Sequence, residues 1–125
     1  MGISKYPVRA TQPYTISVPT IITGVNDANP TNTLCLGVTV TRTGEGVYRY
    51  TFAEDLGTFL GMTDPHIGAT TSADVKGYTA HRGAYDATNR RVDVSVFGAT
   101  QAAADIVAAQ TMDIVFFFRQ TGVSG

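Results

Sequence analysis

From Leu34 to Asp55, apolar and polar positions alternate with a period of two. Leu34, Leu36, Val38 and Val40 fall on one side, and Cys35, Gly37, Thr39 and Thr41 on the other. Successive side chains of a β-strand point to opposite faces, so the pattern predicts a strand with one apolar face. Thr43-Gly44-Glu45-Gly46 then supplies two glycines free to adopt positive φ. The return segment sets Tyr48, Tyr50 and Phe52 on one face and Val47, Arg49 and Thr51 on the other. The stretch reads as a β-hairpin carrying an apolar, aromatic slab. A lone hairpin is marginal in water, so the slab calls for a second sheet to cover it.

Elsewhere the same reading yields weaker and stronger elements. Met1 to Gln12 is polar and broken by Pro7, and reads as an extended arm. Tyr14, Ile16 and Val18 alternate with Thr15 and Ser17, predicting a first strand that ends at Pro19, after which Ile21-Ile22 either continues it or starts an edge strand. Gly24 to Thr33 is rich in turn formers and reads as a loop. Glu54 to Gly61 has the helical spacing Leu56, Phe59, Leu60 interrupted by glycines, and reads as one helical turn or an irregular crossover. Pro65 to Ser72 reads as a loop, and Ala73 to Arg82 as a weak strand with Gly77 at a bulge or edge. Arg90 to Phe97 is a clear strand with Val92, Val94 and Val96 inward. Gly98 to Gln110 is alanine-rich and predicts one or two turns of helix or an ordered loop.

The last strand, Thr111 to Gln120, is apolar on both sides. Met112, Ile114, Phe116 and Phe118 share one face, and Val115 and Phe117 occupy the other. Such a strand is central in its sheet or covered on its second face by another molecule. Phe97 likewise points away from the Val92–Val96 face. Phe97, Val115 and Phe117 are therefore the candidate subunit interface. Six or seven strands with turn signals between them predict an all-β chain, a single antiparallel β-sandwich (jelly-roll-like or related) with little helix. The arm occupies residues 1–12 and the sandwich residues 13–125. The expected core is Leu34, Leu36, Val38, Val40, Tyr48, Tyr50, Phe52, Val92, Val94, Val96, Met112, Ile114, Phe116 and Phe118.

Composition narrows the functional classes. The 125 residues suffice for one domain, and only 15% are charged, below the usual quarter. That depletion suits a small β-domain, and equally a surface partly covered by neighbours. The net charge of −1 and the lack of a basic run leave no nucleic-acid footprint. No charged segment followed by an apolar run opens the sequence, and no run has the length of a membrane-spanning helix, so neither a secretory signal nor a membrane partner is expected. Cys35 stands alone and reads as a small buried hydrophobe.

Reactive constellations are not visible in the sequence. His66 and His81 lie in different segments, and Asp64 near His66 is too little for a zinc site. Gly44-Glu45-Gly46 lacks the helix and Lys of a phosphate loop, and Arg90-Arg91 reads as a solvated strand start. Glu54 and Asp55 are adjacent and point to opposite faces of an extended chain, so they form no acid–base pair. No cofactor is expected, and a structural or binding role is favoured over an enzyme.

The order VTVTRTGEGVYRYTFAED, RRVDVSVFG, AAADIVAAQ and TMDIVFFFRQ, spanning Val38 to Arg119, resembles the small β-sandwich head decoration (cement) proteins of tailed bacteriophages. The hairpin Thr41 to Tyr48, the Ala103-Ala104-Asp105 segment and the apolar final strand carry the likeness. The resemblance implies a non-enzymatic virion protein, made in the host cytoplasm. It would sit on the capsid exterior, often as a homotrimer, and bridge neighbouring major capsid protein subunits. Lys5, Tyr6, Pro7 and Arg9 of the arm would then contact the capsid. Two alternatives remain: another virion β-protein such as a head–tail connector or tail component, and a carbohydrate- or ligand-binding module displaying Tyr78 and Tyr85.

Overall fold

The computed structural model describes residues 15–120, and among them nine strands pack as two antiparallel sheets. Sheet A has the order β2 (Thr31–Leu34), β1 (Thr15–Thr23), β9 (Thr111–Arg119), β5 (Thr58–Met62), and β6 (His66–Gly68) also pairs with β9. Sheet B has the order β3 (Val38–Gly44), β4 (Val47–Phe52), β8 (Arg91–Phe97), β7 (Thr79–Arg82). The first and last strands lie side by side in sheet A, with Thr15 opposite Arg119 and Thr23 opposite Thr111. The predicted hairpin is β3–β4, in register from Val38↔Phe52 to Arg42↔Tyr48, and Gly46 takes φ +72° at its turn. β1 runs straight through Pro19. Proline is tolerated there because β2 flanks only Ile21–Thr23, so no strand among the described residues needs a donor on that side.

The core lies between the sheets and is built where β4 faces β9. Phe116 meets Tyr50 at 5.1 Å and Phe52 at 5.2 Å between ring centroids, and Phe52 meets Phe118 at 5.0 Å. Twelve of the fourteen expected core residues are buried, and Ile22 and Ile106 join them. Leu34 and Leu36 do not: they are 42% and 85% exposed. The alternation from Leu34 to Val40 is not one strand. β2 ends at Leu34, a tight turn joins the amide of Val38 to the carbonyl of Cys35 at 3.2 Å, and Gly37 takes φ +74° as the chain passes from sheet A to sheet B. Cys35 in that turn packs partly buried against the core, its thiol directed at the Ile21 carbonyl.

Further expectations are corrected. The crossover Glu54 to Gly61 contains a strand, β5. A bulge between Phe59 and Gly61 shifts its register against β9, which is why the sequence shows no clean alternation there. The loops around Asn32 and His66 likewise contain the short strands β2 and β6, while Ala73 begins within a one-turn 3-10 helix (Ser72–Val75) and only Thr79–Arg82 is strand. Arg90 is not simply solvated: its Nε donates to the Phe52 carbonyl at 3.1 Å.

The alanine-rich stretch forms no α-helix; it is the ordered loop. Ile106 is fully buried, and its amide donates to the Tyr48 hydroxyl at 2.8 Å. Asp105 accepts from the Gly46 amide at 2.8 Å and from Arg42 Nε at 3.0 Å. Helix preference among these residues is worth tenths of a kcal/mol each. One buried Ile and a buried, paired carboxylate outweigh it. Glycine is required where the loop crosses Gly46, because a Cβ there would lie 2.6 Å from the Val96 carbonyl oxygen.

Candidate interaction faces

Each sheet has an outer face, and the sequence-predicted interface residues divide between them. Val115 and Phe117 lie together on the outer face of sheet A, partly exposed. Phe97 lies on the outer face of sheet B, on the other side of the sandwich. Its ring is 5.9 Å from that of His81, and a β-bridge joins it to Ala103. Apart from Val47, the rest of that face is largely polar. Arg49 opposes Asp93 in register and holds it through two bonds of 2.8 and 3.1 Å, which keeps the Asp93 carboxyl below the usual range.

The outer face of sheet A forms a short grid across β1, β9 and the β5–β6 edge. One row reads Pro19, Val115, Thr63; the next reads Ser17, Phe117, Gly61. Thr63 is fixed beside Val115: its amide donates to the Val115 carbonyl at 2.9 Å, and its hydroxyl oxygen accepts the Val115 amide at 3.0 Å. Phe117 therefore stands above small neighbours on both sides, and a Cβ on Gly61 would meet no heavy atom within 4 Å. Leu60, the bulged residue, is 43% exposed. Two charges bracket the apolar pair on the same strand face: Asp113 on one side, 3.5 Å from His66 Nδ1, and Arg119 on the other.

A third feature is a cleft of about 390 Å³ lined by Asp55, Gly57, Thr58, Phe59, Tyr85 and Ala87. It lies where β5 of sheet A meets the β7–β8 connection of sheet B. Phe59 and Tyr85 stack with centroids 4.9 Å apart and planes 9° apart, and the Arg82 guanidinium sits 5.1 Å from the Phe59 ring centre. Partial burial, and then the charge of Asp55, push the Tyr85 phenol upward. The sequence pointed to Tyr85 here; Phe59 was hidden by the bulge. Tyr78 packs partly buried against the core.

Sequence reading also missed a row of asparagines. Asn32 Oδ1 accepts the Val40 amide at 3.0 Å and Asn29 Oδ1 accepts the Arg42 amide at 2.9 Å, so side chains occupy the donors on the free edge of β3. The three-residue spacing of Asn26, Asn29 and Asn32 is the one signal that would have suggested it.

His66 and His81 remain apart, and no group of three or more His, Cys, Asp or Glu able to hold a metal exists among the described residues. Asp55 uses Oδ1 to accept the Gly57 amide rather than to pair with Glu54. Lys5, Tyr6, Pro7 and Arg9 of the arm lie outside the described residues. The chain matches no family model, no curated protein and no solved structure.

Proposed function

We propose that this chain is a non-catalytic structural protein of a virion, a head decoration protein that caps the exterior of a tailed-phage capsid and bridges neighbouring major capsid subunits. The observation that carries the structural half of the reading is β9. Its inner face supplies Met112, Ile114, Phe116 and Phe118 to the core, while its outer face presents Val115 and Phe117. Each large apolar side chain left in water forgoes roughly 1.5–3 kcal/mol, a cost that a covering partner removes. The virion half rests on the likeness of the hairpin, the Ala103-Ala104-Asp105 segment and the last strand to decoration proteins.

Two measurements test it. Mass spectrometry of purified particles from the native source should find the chain in fixed proportion to the major capsid protein; absence from particles overturns the virion assignment. Sedimentation of the full chain should show self-association that Phe117→Asp abolishes with the far-UV spectrum unchanged; an unaltered oligomer removes the outer face of sheet A from the interface.

The cleft favours a second reading, a ligand-binding module in which the Phe59–Tyr85 stack takes a sugar ring and Asp55 its hydroxyls. Tyr85→Ala would then abolish glycan binding and leave particle attachment intact.

A further inference from the structure

We propose that the outer face of sheet A packs against the same face of a second copy of this chain. The two-fold axis would lie in the plane of the interface and cross β9 between Val115 and Phe117. This rests on the reading that sheet A is a self-association face, and goes beyond it by assigning the partner, the symmetry and the charged residues that set the register.

The order of charges along β9 selects the two-fold. Along its outer face β9 reads Asp113, Val115, Phe117, Arg119: acid, apolar, apolar, base. Asp113 is 47% exposed at its side chain, and the His66 imidazole lies 3.5 Å from its carboxylate. Arg119 enters no ion pair among the described residues. Rotation about an axis perpendicular to the strand sets a second β9 antiparallel over the first. Asp113 then faces Arg119 of the second copy, and Arg119 faces its Asp113. An axis parallel to the strand would stack acid on acid and base on base. Only the antiparallel arrangement neutralises both ends, and it does so twice because the contact is isologous.

The shape of the face, set by different residues, fits the same axis. The row through Phe117 is small, large, small: Ser17, Phe117, Gly61. The row through Val115 is Pro19, Val115, Thr63, with flanks bulkier than Ser17 and Gly61. The same two-fold lays one row over the other. Phe117 then meets Val115, while the bulkier Pro19 comes over the small Ser17 and Thr63 over Gly61, where a Cβ would meet no heavy atom within 4 Å. Face-to-face sheets pack about 10 Å apart, which interdigitated side chains of these sizes fill. A three-fold ring, implied by the decoration-protein resemblance, joins two different patches and gives this self-complementary row no role at this face.

The test uses the full chain in sedimentation equilibrium at low salt, with wild type, Asp113→Arg, Arg119→Asp, the double exchange, and an equimolar mixture of the two single variants. Both positions are on the outer face, and far-UV spectra check that each variant is folded. Wild type should be dimeric, and each single variant should dimerise about tenfold more weakly, since every substitution creates two like-charge contacts. The mixture should form a heterodimer close to wild type in affinity, and the double exchange should restore the homodimer. Single variants as tight as wild type, or a mixture no tighter than its components, would overturn the two-fold register. If Phe117→Asp is at the same time monomeric, sheet A remains an interface and only the register falls. A wild-type trimer overturns the two-fold. A wild-type monomer at every concentration removes both this inference and the self-association on which it rests.

Discussion

Asp105 grips Arg42 through both carboxylate oxygens, Oδ1 to Nε at 3.0 Å and Oδ2 to Nη2 at 2.9 Å, although 63 residues separate them in the chain. The carboxylate is 7% exposed and also caps the Gly46 amide, so one side chain ties the long loop before β9 to β3 and to the turn of the β3–β4 hairpin. Asp105→Ala should lower stability by about 1–3 kcal/mol, because it strands the Gly46 amide and leaves the Arg42 guanidinium only the longer 3.7 Å contact with Asp27. Urea unfolding followed by circular dichroism checks this; a loss below about 0.5 kcal/mol would mean the loop is held without the latch.

Acid should release the same latch. Burial alone would raise the Asp105 carboxyl, but Arg42 and the Gly46 amide outweigh it and hold it below the usual range. The folded value lies below the unfolded one of about 3.9. Its contribution is therefore whole above the unfolded value and disappears as pH falls through the folded one. Asp86, bonded by Asn89, and Asp93, bonded by Arg49, shift in the same direction. The stability difference between wild type and Asp105→Ala should be constant from neutral pH to about pH 5 and shrink steadily below about pH 4. A difference independent of pH down to acid unfolding would exclude an ionic origin.

Tyr48 and Tyr50 are both fully buried on the inner face of β4, yet their hydroxyls differ. Tyr48 Oη receives the Ile106 amide at 2.8 Å. Tyr50 Oη has no hydrogen-bond partner among the described residues; the Thr20 hydroxyl is near enough to influence it but donates to the Ile114 carbonyl at 2.9 Å. Tyr48→Phe should cost about 1–2 kcal/mol by stranding a buried N–H, whereas Tyr50→Phe should be neutral or stabilising by up to about 1 kcal/mol. Equal losses in thermal melts would show that Tyr50 is bonded after all.

Alkali should separate these tyrosines from the rest. Burial pushes the Tyr48 phenol up to about 12 and the Tyr50 phenol higher still. Both ionise more readily unfolded than folded, so their contribution is whole below about pH 10 and is lost as pH rises beyond it. Phenolate absorbance should show two of the six tyrosines titrating only with unfolding; six rapid, reversible ionisations would contradict the burial.

The core has a centre, and truncation there should show it. Phe116 lies against Tyr50 and Phe52, so Phe116→Ala should cost about 3–5 kcal/mol. Leu36→Ala, at a position 85% exposed, should change stability by less than about 0.5 kcal/mol. Comparable losses at the two sites, measured by denaturant midpoint, would place Leu36 back in the core.

The alternation of residues was enough to identify β3, β4, β8 and β9 and twelve core residues, because a period of two assigns side chains to faces before any partner strand is known. It also revealed that β9 is apolar on both sides. It was blind where the period is interrupted by geometry. The turn at Gly37 carried Leu34 and Leu36 out of the core, and the bulge in β5 concealed Phe59 and the aromatic stack. Composition favoured helix between Gly98 and Gln110, but contacts from Asp105 to Arg42 and from Ile106 to Tyr48 reach across some sixty residues and override local preference. Alternation likewise says which side of its own strand a residue takes, not which sheet that strand joins. That Phe97 and Phe117 face away from each other was decided by strand order alone, since pairing places β8 in one sheet and β9 in the other.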